Sequence, residues 1–191
     1  MNKKAIISII AGTLILYFWG MASWMALPFH GSAFNTIPDG AIDMAELKNS
    51  MPESGIYHYP GMPADNSEAS MKAIEEQLAE GPRITFMAYT NAPTKFMDPM
   101  NFIVGIGLNL LTVLLTFFIL LKLAAKDKKS ILLTCIAIGL ILVVVAEMSM
   151  MNWFMYPLKY TIANMVDHVV SFGLLGLLFG YYTFKSEAVH S

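Results

Sequence analysis

The residues best equipped for chemistry are Glu147, Asp167 and His168, with His30 as a fourth candidate. Each lies in or beside a long apolar run. A bare charge at the centre of such a run costs roughly 2.5–3.5 kcal/mol even on the lenient insertion scale, so these groups must be neutralised, paired or bound to something. Two carboxylates and two imidazoles offer oxygen and nitrogen donors that suit a divalent metal ion. The same groups could carry a proton or hold a small ligand. The plainer reading is that one carboxylate pairs with His168 or Lys159 and fixes helix packing, or that the groups sit in the wet membrane interface. Their spacing matches no zinc or metalloprotease motif. His30 and His168 come from different apolar runs and would also serve as axial haem ligands. His58 and His190 lie outside those runs. The metal candidates are therefore Glu147, Asp167, His168 and His30, a set that suits a divalent metal ion; the cofactor is otherwise unknown, and no residue is assigned to catalysis.

Depth supports treating these residues together. Counted from Ser130, Glu147 stands roughly 25 Å along its helix, near the far boundary of a ~30 Å hydrocarbon core. Asp167 and His168 stand one to two turns into the next apolar run from that same boundary. The linker 152–160 is short, which makes the two helices antiparallel neighbours. Tyr160, Asn164, Asp167, His168 and Ser171 recur at helical spacing and form one polar stripe.

The elements that must carry these residues are membrane helices. A span needs about 20 apolar residues. Residues 5–27 and 100–121 contain no charge, 130–151 contain only Glu147, and 162–184, within a helix predicted over 157–184, contain Asp167 and His168. The first run resembles a signal peptide in its basic start at Lys3 and Lys4. Its apolar stretch exceeds the usual ~7–15-residue core, and Tyr17, Phe18 and Trp19 crowd the cleavage site, so a retained anchor is expected.

Composition agrees. Of 191 residues, 56 % are hydrophobic and 14 % charged, against about 25 % charged in soluble domains. Mean hydropathy is +0.56. A disordered chain, a basic nucleic-acid binder and an ordinary cytosolic enzyme are excluded. Cys135 is the single cysteine, so no intramolecular disulfide is available. It reads as a packing thiol, and the 15 methionines, including Met148, Met150 and Met151, read as adaptable packing rather than copper ligands.

Charge placement sets the expected orientation. Lys3, Lys4, Lys122, Lys126, Lys128, Lys129 and Lys185 would share one side with only Asp127 and Glu187 as acids. Short basic flanks mark the cytoplasmic side, which places both termini there and residues 28–99 outside. The short loops and basic flanks point to a bacterial inner membrane. Trp19, Trp24, Phe29, Trp153, Phe154, Tyr156 and Tyr160 gather near the other boundary, as interfacial aromatic residues do.

Residues 28–99 are too long for a simple loop. Asp43 followed by Glu46 forms a capping-box pattern that opens a helix to about Asn49. Asn66 or Ser67 caps a second helix from Glu68 to about Glu80, with Met71, Ile74 and Leu78 as its apolar stripe. Gly81-Pro82 stops it. Strands are predicted at 55–59 and 83–89. Two strands make a marginal sheet, so this module is expected to lean on the membrane, the helix ends or a partner.

Asn109, Thr112 and Thr116 line one face of the second span and read as interhelical hydrogen-bond donors. Gly176 and Gly180 form a small-xxx-small pair that allows close helix approach. No phosphate loop, nucleophile elbow or dinucleotide fingerprint is present. The expectation is a mostly α membrane protein of four transmembrane helices with a small extracytoplasmic α/β module between helices 1 and 2. It would act as a non-catalytic subunit, assembly or interaction protein in the lipid bilayer, meeting a membrane or extracytoplasmic protein partner and no nucleic acid. The alternative is a small transporter or ion-handling protein that uses the Glu/Asp/His cluster.

Overall fold

A computed structural model describes residues 3–63, 65–95, 97–123 and 127–184. Lys126, Lys185, Glu187 and His190 lie outside the described residues. Four helices are long and apolar enough to cross a membrane: α1 (Lys3–Ala26), α5 (Pro99–Lys122), α6 (Lys128–Phe154) and α7 (Leu158–Thr183). Between α1 and α5 lie a single turn α2 (Pro28–Gly31), α3 (Met44–Ser50), β1 (Gly55–Tyr59), α4 (Glu68–Glu80) and β2 (Ile84–Tyr89). The chain divides into two compact units, 36–95 and the remainder.

α5 and α6 begin where the sequence supplies a side-chain partner for free amide groups. Asp98 accepts from the Met100 amide at 2.9 Å, and Pro99 occupies the first helical position of α5, where no amide is missed. Asp127 accepts from the amides of Lys129 and Ser130, each at 3.0 Å. The Ser130 hydroxyl joins them, and these bonds hold the Asp127 carboxyl below its ordinary value. α6 runs one turn of side chains beyond the expected 130–151, to Phe154. It closes at Met155, which takes a left-handed φ of 55°, so that α7 can start at once behind Pro157.

Three of the four spans contain a π turn: Ala22–Ala26 in α1, Val143–Met148 in α6 and Phe179–Thr183 in α7. In the first, the Leu27 amide reaches the Ala22 carbonyl at 2.9 Å. Such turns insert an extra residue and re-aim the side chains around them.

Within the bundle, α1 packs on α5 and α7, and α7 packs on α6. The apolar core is drawn from one end. Ala5, Ile9 and Leu16 of α1 meet Val113, Phe117 and Leu120 of α5, Ile131 and Cys135 of α6, and Phe172, Leu175 and Phe179 of α7. Phe117 and Phe179 stand 5.7 Å apart between ring centres. This is the end that carries Lys3, Lys4, Lys122 and Lys128. Ser8 is buried in it, donating to the Lys4 carbonyl at 2.9 Å and accepting from the Thr183 hydroxyl at 2.5 Å.

Close approach of α6 and α7 depends on glycine. A Cβ at Gly176 would stand 2.9 Å from Leu132 Cδ1 and 3.0 Å from its Cα, and one at Gly139 would stand 3.0 Å from the His168 carbonyl oxygen. Gly180 faces the Lys128 backbone. The small-residue pair of α7 is thus used inside this chain, and Cys135 is buried against it as a packing thiol. The expectation for the α5 hydroxyls is corrected. Thr112 donates to Leu108 and Thr116 to Thr112, both carbonyls of their own helix, the i−4 back-bond open to a threonine hydroxyl on a helix.

The 36–95 unit follows its local signals. The Asp43 side chain accepts from the Ala45 amide at 2.8 Å and the Glu46 amide at 3.1 Å. The return bond from Glu46 is not made among the described residues, so the capping box is half formed. Ser67 caps α4 by accepting from the Ser70 amide at 3.2 Å. Asp65 accepts from the Ser67 amide, and bonds from the hydroxyls and amide of this turn pull its carboxyl down to about 2. Gly81 ends α4 with φ of 61°. β1 and β2 pair antiparallel, Gly55 with Tyr89 and Tyr57 with Met87, and slip in register before Tyr59 meets Ile84. β2 starts one residue later than expected, at Ile84.

Candidate functional site

The polar stripe of α7 divides into two contacts that point different ways. Consecutive residues on a helix are set about 100° apart, so neighbours must face different partners. Asp167 turns towards α1 and α2, and His168 turns towards α6.

The first contact is built from α1, α2 and α7. Asp167 Oδ1 accepts from the Ser23 hydroxyl at 2.5 Å, and Oδ2 lies 2.8 Å from His30 Nε2. Ser23 is fully buried and His30 is 1 % exposed, while the Asp167 side chain is 16 % exposed. The local sequence explains the approach. Ser23 lies in the π turn of α1, Leu27 breaks the helix in an extended conformation, and Pro28 restarts it as α2. The short α2 brings His30 back over the end of α1. Trp24 stacks on the His30 ring at 4.0 Å between centres with 14° between planes, and Phe29 flanks it at 4.9 Å. Phe34 meets Tyr160 edge-on at 5.5 Å, which holds the end of this segment on the first turn of α7.

The second contact joins α6 and α7. His168 Nε2 lies 3.0 Å from Glu147 Oε1, with side chains 30 % and 15 % exposed. Glu147 stands in the π turn Val143–Met148. Asn164, on the same stripe, turns back to its own helix and donates to the Tyr160 carbonyl at 3.2 Å. Outside the spans, Tyr156 is held above its ordinary value, first by burial and then by the nearby Tyr160 and Glu147 charges.

All four candidates therefore lie towards one end of the bundle, but as two pairs: His30 with Asp167, and His168 with Glu147. No group of three or more His, Cys, Asp or Glu side chains comes together among the described residues. The Nε2 atom of each histidine already faces a carboxylate, which is the atom a haem iron or metal ion would commonly take. Lys159 forms no ion pair among the described residues. Of the two packing pairs envisaged for a carboxylate, that with His168 is the one formed.

The Ser23, Asp167 and His30 trio has the residue types of a hydrolytic triad in the wrong order. Nucleophile activation needs the imidazole between hydroxyl and carboxylate. Here the carboxylate stands between, so the imidazole does not face the hydroxyl. The arrangement can hold two helix ends together. The His30 Nδ1 atom is buried without a hydrogen-bond partner among the described residues, as are Thr161 Oγ1 and Trp19 Nε1.

Ser23 and Trp24 are parts of the site that sequence reasoning missed. Trp24 reads in sequence as an interfacial aromatic, which does not anticipate a stack on histidine. A signal for Ser23 existed: it lies seven residues before His30, a helical repeat. The intervening break at Leu27 and Pro28 obscured it. Comparison with protein-family models, with curated proteins and with solved structures finds no match to this chain.

Proposed function

We propose that this protein is an integral membrane subunit, assembly or interaction protein, with the 36–95 unit as its partner-binding module. In this reading both termini face the cytoplasm, the module lies outside it, and the membrane is a bacterial inner membrane. The basic flanks of the spans support that orientation.

One observation carries the reading. The 36–95 unit has almost no interior of its own. Neither α3 nor α4 contains a buried residue. Met44 is 66 % exposed, and Met71 and Leu78 of the α4 stripe are 47 % and 37 % exposed. A two-stranded sheet with two such helices is marginal alone. Apolar side chains left uncovered on a small module are what a protein partner would bury. The partner is a membrane or extracytoplasmic protein with an apolar contact face.

The rival reading, a transporter or handler of a divalent metal ion, would use Glu147, Asp167, His168 and His30. It needs those groups to converge, and each of the two pairs instead satisfies itself. The test is purification in mild detergent after cross-linking, with identification of bound proteins and measurement of metal content. The wild type should carry a partner that a Met71→Glu, Leu78→Glu variant loses while its bundle stays folded. An unchanged set of bound proteins in that variant would overturn the proposal. Stoichiometric metal that disappears in His168→Ala would establish the rival.

A further inference from the structure

Beside the first contact lies a cleft of about 260 Å³, lined by Phe29 and Ser32 of the α2 segment and by Lys159, Ile162, Ala163 and Val166 of α7. We propose that this cleft binds one anionic phospholipid of the surrounding bilayer, with the lipid phosphate at Lys159 and an acyl chain along Ile162 and Val166. This inference is independent of the partner-binding role of the 36–95 unit.

The lining residues of α7 fall at i, i+3, i+4 and i+7, one face of the helix. That face begins with a cation at the second residue of the span and continues as aliphatic side chains for two turns, roughly 10 Å. Ile162 and Val166 are 49 % and 42 % exposed, and Ala163 between them is buried and leaves the groove floor low. Phe29 forms the opposite wall. The order along the groove, charge then hydrocarbon, is the order of groups in a phospholipid from headgroup to chain.

Charge complementarity selects the headgroup. Lys159 is exposed and has no ion-pair partner among the described residues. The nearest acid in sequence on α7, Asp167, does not line the cleft and is engaged by Ser23 and His30. The first turn of α7 contains no acidic residue and no side-chain cap, so its positive end adds to the field of Lys159. The Ser32 hydroxyl is engaged by the Phe29 carbonyl, to which it donates at 3.1 Å, which leaves Lys159 as the polar group that selects the headgroup. A zwitterionic headgroup would bring its own cation to the same rim and gain less.

Native mass spectrometry of the full chain tests this directly. The protein is released from micelles containing equal amounts of phosphatidylglycerol and phosphatidylcholine with matched acyl chains. The wild type should retain one phosphatidylglycerol in clear preference to phosphatidylcholine. Lys159→Glu reverses the charge and should lower that retention roughly tenfold or more, since one basic residue near an anionic surface contributes about a fivefold preference. Lys159→Arg should retain the lipid, and Val166→Trp, which fills the groove and leaves Lys159 in place, should lose it. Thermal unfolding of each variant confirms that the bundle is intact. Equal retention of the two lipids by the wild type, or unchanged phosphatidylglycerol retention in folded Lys159→Glu, would overturn the proposal.

Discussion

The two ends of the helix bundle are held together by different means. At the lysine-bearing end, Gly176 and Gly180 let the α6 backbone approach α7, and Phe117, Leu175 and Phe179 fill the space between helices. At the other end, the first half of α5 exposes Met100, Ile103, Val104 and Leu108, and the helices are tied by Ser23, His30 and Asp167 and by Glu147 and His168. Lipid tails are as apolar as leucine, so burial in a bilayer does little to draw helices together. Close van der Waals packing and hydrogen bonds remain: packing dominates at the lysine-bearing end, where Thr183 and Ser8 add one hydrogen bond between α7 and α1, and polar ties dominate at the other. Packing spreads its contribution over many atoms. The polar ties concentrate theirs in a few atoms, all of which meet on two consecutive residues of α7.

The contrast yields measurable differences. Asp167→Ala should have the largest effect, because it leaves His30 and Ser23 buried without their shared acceptor. Removing one partner of a buried pair costs about 3 kcal/mol or more. Reversible unfolding in mixed micelles should show that loss, and hydrogen exchange should rise first around α2. A loss below that of the glycine variant that follows would erase the distinction between the two ends.

Gly176→Ala places a methyl group against the Leu132 backbone and the Cys135 side chain. The penalty for such overpacking is about 2 kcal/mol. Cysteine cross-linking between α6 and α7 at the lysine-bearing end should report a wider spacing. An unchanged stability would mean that this end is looser than the 2.9 Å approach at Gly176 implies.

Glu147→Gln keeps an acceptor for His168 and should cost about 1 kcal/mol or less. Glu147→Ala should cost more than the glutamine variant. If glutamine is as damaging as alanine, the second pair depends on charge rather than on a hydrogen bond, and the two polar ties are unlike.

The smallest effect lies in the 36–95 unit and serves as the control for both ends. Asp65 has a folded value of about 2 against an ordinary 3.8. A depressed carboxyl stabilises its turn fully above the ordinary value, and that contribution is lost as pH falls from 3.8 through about 2. Amide exchange at Ser67 should therefore accelerate over that window while α5 and α7 near the lysine-bearing end stay protected. Asp65→Asn should abolish the pH dependence of that local exchange.

Much of the fold was written in local sequence, and the reasons are physical. Uninterrupted apolar length determines a spanning helix because every backbone amide and carbonyl must be satisfied within it. That is why 100–121 and 130–151 correspond to α5 and α6 with only their ends moved. Caps act through adjacent residues, so Asp43 marked one helix start, Asn66 or Ser67 marked the next, of which Ser67 is the cap formed, and Gly81-Pro82 marked a helix end from sequence alone. β1 at Gly55–Tyr59 was legible from its β-branched and aromatic residues.

Which polar group meets which was a tertiary decision. Sequence spacing placed Asp167 and His168 on one stripe and suggested a shared cluster with Glu147. The structure separates them: Asp167 meets Ser23 of the Ala22–Ala26 π turn together with His30, and His168 meets Glu147 of the Val143–Met148 π turn. The break at Leu27 and Pro28 folds His30 back onto α7. A π turn is a backbone choice of one extra residue per turn, with no composition that marks it in an apolar run. The sequence by itself determined that there would be four apolar helices and that ionisable groups would lie within the third and fourth of them. Only the folded chain decided that they form two separate pairs, because that depends on which helix faces which and on rotations that no local pattern encodes.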